Sequence, residues 1–282
     1  MAAEILDGTK IAEEVKQNIA LQISGWKKKP GLATVLVGDN SASKVYVNRK
    51  NVTCRKYGFH SKEVTLPESV SQDELIKKIW ELNEDPAIHG VLVQLPLPKH
   101  LNENEVLKAV SPAKDIDGLT PNSLGRLFSG NPSFVPCTPR GVLHLIKSTG
   151  IKLEGKHAVV VGRSNLVGKP TAILLLNEGC TVTVCHSKTQ DLAEETRKAD
   201  VLVVAVGKPK LITAEMVKPG AIVVDVGTTK NAEGKLEGDV DFEGVKEKAS
   251  FITPVPGGVG PMTIAMLLQN TFEAAKIIEG IK

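Results

Sequence analysis

Within the stretch SASKVYVNRK, Ser43, Tyr46 and Lys50 follow one another at spacings of three and four, which in a helix stacks them along one face. A hydroxyl, a flat aromatic ring and an amine side by side can hold a planar ligand and act on it. The same trio also suits an ordinary amphipathic helix. Gln94 closes the apolar run GVLVQ, and its amide must satisfy its hydrogen-bonding positions from nearby backbone or from a ligand. In PAKDIDGL, Asp115 and Asp117 share a side if the backbone is extended, although a tight Asp-Gly turn explains the same residues. Pro256, Gly257 and Gly258 lie in PVPGGVGPMT, a loop opening into a last helix, where glycines permit close approach of a ligand to backbone.

A second constellation lies in HAVVVGRSNLVGKPTAILLL: a buried-type strand ending at Val161, a loop from Gly162 to Gly168 containing Arg163 and Ser164, then an apolar helix. The first turn of a dinucleotide-binding unit has this form, with loop N–H groups and the positive helix end facing a pyrophosphate. The glycines are spaced more widely than in G-x-G-x-x-G, so an ordinary strand–turn–helix fits the loop as well. A phosphate-loop NTPase does not fit. Five residues rather than four separate Gly162 from Gly168, and Pro170 stands where Ser or Thr would hold magnesium. The next strand ends in Cys185-His186-Ser187-Lys188-Thr189, without the acid that NAD-preferring units place there for the ribose hydroxyls. Arg163 and Ser187 at that corner favour the extra phosphate of NADP instead. Later strand ends, at Gly207-Lys208-Pro209 and at Asp225-Val226-Gly227-Thr228-Thr229, are further places for a cofactor to approach.

These groups need elements to carry them. Short, Val-rich, non-alternating runs at 32–37, 90–95, 157–161, 181–185, 201–206 and 221–226 predict strands buried on both faces. Helical patterns fall at 11–23, 41–57, 72–82, 140–148, 169–177 and 263–278. The alternation predicts α/β layers with mainly parallel sheets. Between Ser111 and Arg140 the apolar runs give way to prolines, and the domain boundary belongs there. At 282 residues the chain suits two domains. Its 35 basic and 32 acidic residues are too balanced for bulk attraction to nucleic acid. No apolar run approaches a membrane span, and the N-terminus lacks the apolar run of a signal peptide. Cys54, Cys137, Cys180 and Cys185 give neither a disulfide framework nor zinc-ligand spacing, so no metal site and a cytoplasmic location are expected.

Six motifs in order, SASKVYVNRK, GVLVQLPLP, PAKDIDGL, FVPCTP, VVVGRSNLVGKP and ITPVPGGVGPMT, resemble the bifunctional methylenetetrahydrofolate dehydrogenase/cyclohydrolase family over essentially the whole chain. The resemblance implies two α/β domains, the second a Rossmann-type doubly wound parallel sheet, with the active site in the cleft between them. Residues 1–138 with 264–282 would form the folate-binding catalytic domain and residues 139–263 the NADP-binding domain. It implies that Lys50 is the essential lysine, Gln94 its hydrogen-bonding partner, Tyr46 the aromatic on which the pterin stacks, with Ser43 beside it. Asp117 would receive the pterin N–H donors, and Pro256, Gly257 and Gly258 would line the substrate. Gly162, Arg163, Ser164, Ser187 and Thr228 would meet NADP, with Arg163 and Ser187 on the 2′-phosphate. A homodimer through the Rossmann domains, without nucleic acid or membrane partners, also follows from the resemblance. Ending at Lys282 leaves no length for the synthetase domain of trifunctional relatives. Where many members read Gly-Ile-Asn after the fourth Rossmann strand, this chain has Gly227-Thr228-Thr229. Two rival expectations are a shikimate-dehydrogenase-like NADP enzyme, which would not need the Tyr46, Lys50, Gln94 and Asp117 set, and a non-catalytic nucleotide-binding protein.

Overall fold

The computed structural model describes residues 2–281, apart from the side chain of Ala42. The chain opens with strand β1 (Glu4–Ile5) and helix α1 (Gly8–Ile23). Then come β2 (Gly31–Val37), α2 (Ser41–Lys56), β3 (His60–Leu66), α3 (Gln72–Glu84), β4 (Gly90–Val93) and α4 (Glu103–Lys108). Helices α5 (Pro121–Phe128) and α6 (Cys137–Ser148) lead to β5 (His157–Val161), α7 (Gly168–Asn177), β6 (Thr181–Cys185), α8 (Leu192–Arg197) and β7 (Val201–Val204). The remainder is β8 (Ile222–Asp225), the hairpin of β9 (Thr229–Lys230) and β10 (Leu236–Glu237), α9 (Phe242–Lys246), β11 (Phe251–Ile252) and α10 (Val259–Glu279). No helix among the described residues is long and apolar enough to cross a membrane.

The chain divides into two compact units, Glu14–Cys137 with the stretch from Ile264 onward, and Thr138–Thr263 with the residues up to Glu13. The first holds a parallel sheet in the order β3-β2-β4. Central β2 (GLATVLV) is buried along its whole length, which is why its apolar residues run continuously. Edge strand β3 (HSKEVTL) is mostly exposed, and its charged residues hid it from an apolar-run reading. Helix α2 turns Ser43, Val47, Asn51 and Cys54 inward. Asn51 locks that face: its Oδ1 accepts from Thr34 Oγ1 at 3.0 Å and Ser61 Oγ at 3.0 Å, while its Nδ2 donates to Glu63 Oε2 at 2.8 Å. Asn40 starts the helix by accepting from the N–H of Ser43. Helix α3 begins with a reciprocal capping box between Ser71 and Glu74 and packs Leu75, Ile79 and Leu82 into the core.

The second unit holds a six-stranded parallel sheet, β1-β11-β8-β7-β5-β6. The chain reverses direction across the sheet at β5, placing β6 on one side and β7, β8 and β11 on the other. The sheet is thus doubly wound, with β6 alone beyond β5. Val159, Val161, Leu202, Val204 and Val223 form its core. One boundary differs from expectation. The residues up to Glu13 cluster with this unit rather than with Glu14–Cys137, because Glu4–Ile5 pairs in parallel with Phe251–Ile252 and supplies the last strand of the sheet. All four cysteines are unbridged and buried, two in each unit.

Candidate active site

The first unit brings together Lys50 from α2, Gln94 from the end of β4 and Asp117 from the loop before α5. Lys50 Nζ donates to Gln94 Oε1 at 3.1 Å. The amide is itself fixed, since its Nε2 donates to Leu95 O at 2.7 Å and the backbone N–H of Gln94 donates to Val35 O at 2.9 Å. The acceptor oxygen of Gln94 therefore aims the amine, and the apolar strand delivers the amide to it. Lys50 is close enough for its charge to act on Asp117. Burial pushes the Asp117 carboxyl above the ordinary carboxylate range; Lys50 and a hydrogen bond with Cys137 pull it back, and Asp115 adds to the rise.

Asp115 and Asp117 do not share one task. The segment forms a turn, with Gly118 N–H donating to Asp115 O at 3.0 Å. The buried Asp115 carboxylate accepts from the N–H groups of Leu119 and Thr120 at 3.2 and 2.9 Å, so it builds the loop. Asp117 is left for other partners. Asn270 of α10 braces this loop, donating through Nδ2 to Ile116 O at 2.6 Å and Val135 O at 2.9 Å. On α2, Tyr46 is 44% exposed and Ser43 only 5% exposed, so Ser43 belongs to the buried stripe and Tyr46 to its open margin. Neither Asn51 nor Asn270 is signalled by sequence spacing, because each works through partners far away along the chain. Cys54 is core, its thiol pushed up to about 12 by burial.

In the second unit, Arg163, Ser164 and Leu166 are exposed in the loop beyond β5. Ser164 takes up first-turn donors of α7: its Oγ accepts from the N–H of Val167 and Gly168 at 3.1 and 3.3 Å, and its carbonyl accepts from the N–H of Lys169 at 3.0 Å. An anion at this helix end would meet mainly the helix dipole, with the exposed Arg163 and the loop backbone as the nearest direct donors. Arg163 and Ser187 each stand two residues past the paired residues Val161 and Cys185, on neighbouring strand ends. The two strand ends thus present an exposed guanidinium and an exposed hydroxyl, with no carboxylate at the β6 tip, a set of donors that can bind a phosphate group. Thr228 is exposed beyond β8. In the Pro256–Gly258 loop one glycine serves the chain itself: a Cβ on Gly258 would lie 2.6 Å from Pro254 O. Among the described residues there is no group of three or more His, Cys, Asp or Glu that could hold a metal ion.

A family model described as the catalytic domain of tetrahydrofolate dehydrogenase/cyclohydrolase matches residues 6–117, and one described as its NAD(P)-binding domain matches residues 136–279. The chain is 56% identical over 278 residues to the bifunctional protein FolD of Listeria innocua, covering 98% of each. It is similar to the solved bifunctional FolD enzyme of Campylobacter jejuni, at 48% identity and a TM-score of 0.96, covering 98% of this chain and 99% of that one. The Trypanosoma brucei methylenetetrahydrofolate dehydrogenase-cyclohydrolase, solved with NADP cofactor and an inhibitor, is 40% identical with a TM-score of 0.93, covering 98% of both chains. The likeness to shikimate dehydrogenase of Aquifex aeolicus, at 17% identity and a TM-score of 0.52, extends to the fold alone.

Proposed function

The chain belongs to the tetrahydrofolate dehydrogenase/cyclohydrolase family, and from that premise we propose how its residues divide two consecutive reactions. It oxidises 5,10-methylenetetrahydrofolate with NADP⁺ to 5,10-methenyltetrahydrofolate, then hydrolyses that product to 10-formyltetrahydrofolate. Bound NADP⁺ supplies the hydride acceptor. The chain's part in the first step is to hold two rings in register, which is a positioning task. Tyr46 offers the pterin an exposed aromatic face, Ser43 lines the helix beside it, and Asp117 accepts the pterin N–H donors. Pro256, Gly257 and Gly258 complete the folate contacts. Gly162, Arg163, Ser164, Ser187 and Thr228 hold the nucleotide, with Arg163 and Ser187 on its 2′-phosphate.

Hydrolysis converts the methenyl cation and one water into 10-formyltetrahydrofolate and a proton. Lys50 carries protons between the attacking water and the opening ring, and Gln94 keeps its amine pointed at the methenyl carbon. General acid–base assistance of this kind is worth roughly 10²–10⁴-fold. The single observation that carries this reading is the 3.1 Å contact of Lys50 with Gln94 beside Asp117. A spectrophotometric assay with methylenetetrahydrofolate and NADP⁺ tests it, following NADPH and the methenyl product. Lys50→Met should lose hydrolysis and keep folate binding; hydrolysis at the normal rate in that variant overturns the assignment.

We also place the protein in the cytoplasm as a homodimer joined through its nucleotide-binding units. Four unbridged cysteines support the first. The second is supported by β6, which ends the larger sheet and leaves Val184 38% exposed.

A further inference from the structure

Asp239 is fully buried in the second unit, yet none of the roles above uses it. Its Oδ2 accepts from the N–H of Val206 at 2.7 Å and of Gly207 at 2.9 Å, the residues just beyond β7. Asp225, at the end of β8, fixes the segment that carries it. Asp225 Oδ1 accepts from Asp239 N–H at 3.0 Å and Gly227 N–H at 2.8 Å, and Oδ2 accepts from Val240 N–H at 2.9 Å. The β9–β10 hairpin returns the chain to make these contacts, and the fit is tight: a Cβ on Gly238 would stand 1.9 Å from Asp225 Oδ2. Two carboxylates thereby fasten the ends of β7 and β8 to one returning strand of chain.

The place matters. β5 and β7 are neighbours at the point where the sheet reverses its order, and open α/β sheets receive ligands at the carboxyl ends of strands there. A trans peptide sets its carbonyl opposite its N–H. With the N–H groups of Val206 and Gly207 turned onto Asp239, the carbonyls of Ala205 and Val206 face away from it. Gly207 follows, exposed and left-handed at φ +67°, and no described residue comes near the place a Cβ would take on it. A fixed carbonyl and an open glycine suit the amide and hydroxyl donors of a nicotinamide nucleotide.

We infer that Asp239 is a positioning residue for the nucleotide, holding the tip of β7 in the shape that NADP⁺ meets. This rests on the NADP reading above. One further detail shapes the test: Asp239 Oδ1 has no hydrogen-bond partner among the described residues, so the acceptor work falls on a single oxygen. Asn can therefore stand in for Asp239 with its carbonyl at the Oδ2 position, whereas Ala cannot.

The experiment uses the full chain carrying Asp239→Ala or Asp239→Asn. It reads the NADP⁺ dissociation constant by calorimetry, amide exchange over 205–208, and hydrolysis of methenyltetrahydrofolate, which consumes no nucleotide. Asp239→Ala should weaken NADP⁺ about tenfold or more and speed exchange at Val206 and Gly207, with hydrolysis kept. Asp239→Asn should restore both towards wild type. Wild-type affinity in the Ala variant, equal weakening in Ala and Asn, or loss of hydrolysis in step with binding each overturns the inference. If the Ala variant does not fold, exchange in the wild-type protein decides: slow exchange at Val206 and Gly207 supports the clasp and fast exchange overturns it. A wild-type protein that does not bind NADP⁺ would instead refute the NADP reading itself.

Discussion

Replacing Asn51 with Ala should loosen the helix that carries Lys50, by an amount the local contacts set. Three hydrogen bonds vanish, to Thr34, Ser61 and Glu63, but their losses are unequal. Glu63 is exposed and regains water, so its share is small. Ser61 is half-buried and regains part of its hydration. Thr34 is fully buried, and its stranded hydroxyl costs about 1–3 kcal/mol. With the space left by the amide added, the total is about 3 kcal/mol. The measurement is direct, because both tryptophans, Trp26 and Trp80, lie in the Glu14–Cys137 segment. Urea unfolding followed by their fluorescence reports this unit. Asn51→Asp keeps the acceptor for Thr34 and Ser61 but sets a carboxylate against Glu63. Their repulsion exists only while both carboxyls are ionised, so the variant's deficit should be full at neutral pH and shrink as pH falls through the carboxylate range. A loss below about 1 kcal/mol for Asn51→Ala, or a pH-independent deficit for Asn51→Asp, would refute the account.

Asp117 sits above the ordinary carboxylate range because it is buried, so falling pH protonates it early, which in its proposed role removes an acceptor for the pterin. The KM for folate should rise on the acid side, and Asp117→Asn should flatten that limb in a pH–rate profile. On the proposed contact of Arg163 with the 2′-phosphate, Arg163→Ala removes about 1.5–3 kcal/mol, so the KM for NADP⁺ should rise roughly 10–100-fold while that for NAD⁺ barely moves. Burial raises Asp225 to about 6 against the pull of three backbone donors, with Asp239 adding to the rise. Its folded pKa exceeds the unfolded one, so the stability it contributes is complete below about 4 and lost as pH rises through about 6. Calorimetric melting from about pH 4 to 7 should show that decline in the wild type and its absence in Asp225→Asn.

The strands that sequence makes plain are those buried on both faces. β2, β5, β7 and β8 are continuous apolar runs because sheet neighbours and helices cover them. β3 is missed because its exposed residues include charged side chains, and β1 and β11 because two residues carry no periodicity. Helix spacing draws attention to Lys50, and an amide ending an apolar strand to Gln94, but their pairing follows from the family resemblance and not from either pattern. Asn51, Asn270 and Asp239 are not. An Asn inside a helix, or an Asp after a hairpin, looks solvated until the residues it reaches are known. For Asp239 those are Val206 and Gly207, more than thirty positions earlier.

The burial of every cysteine gives the molecule its own stopwatch. Cys54 and Cys137 lie in one unit and Cys180 and Cys185 in the other, and burial raises the thiols of Cys54, Cys180 and Cys185. An alkylating reagent does not reach these buried thiols in the native protein and reacts once a fold opens. Since neither tryptophan nor tyrosine occurs between Thr138 and Thr263, the modification of Cys180 and Cys185, read by mass, times the opening of the half that fluorescence does not see.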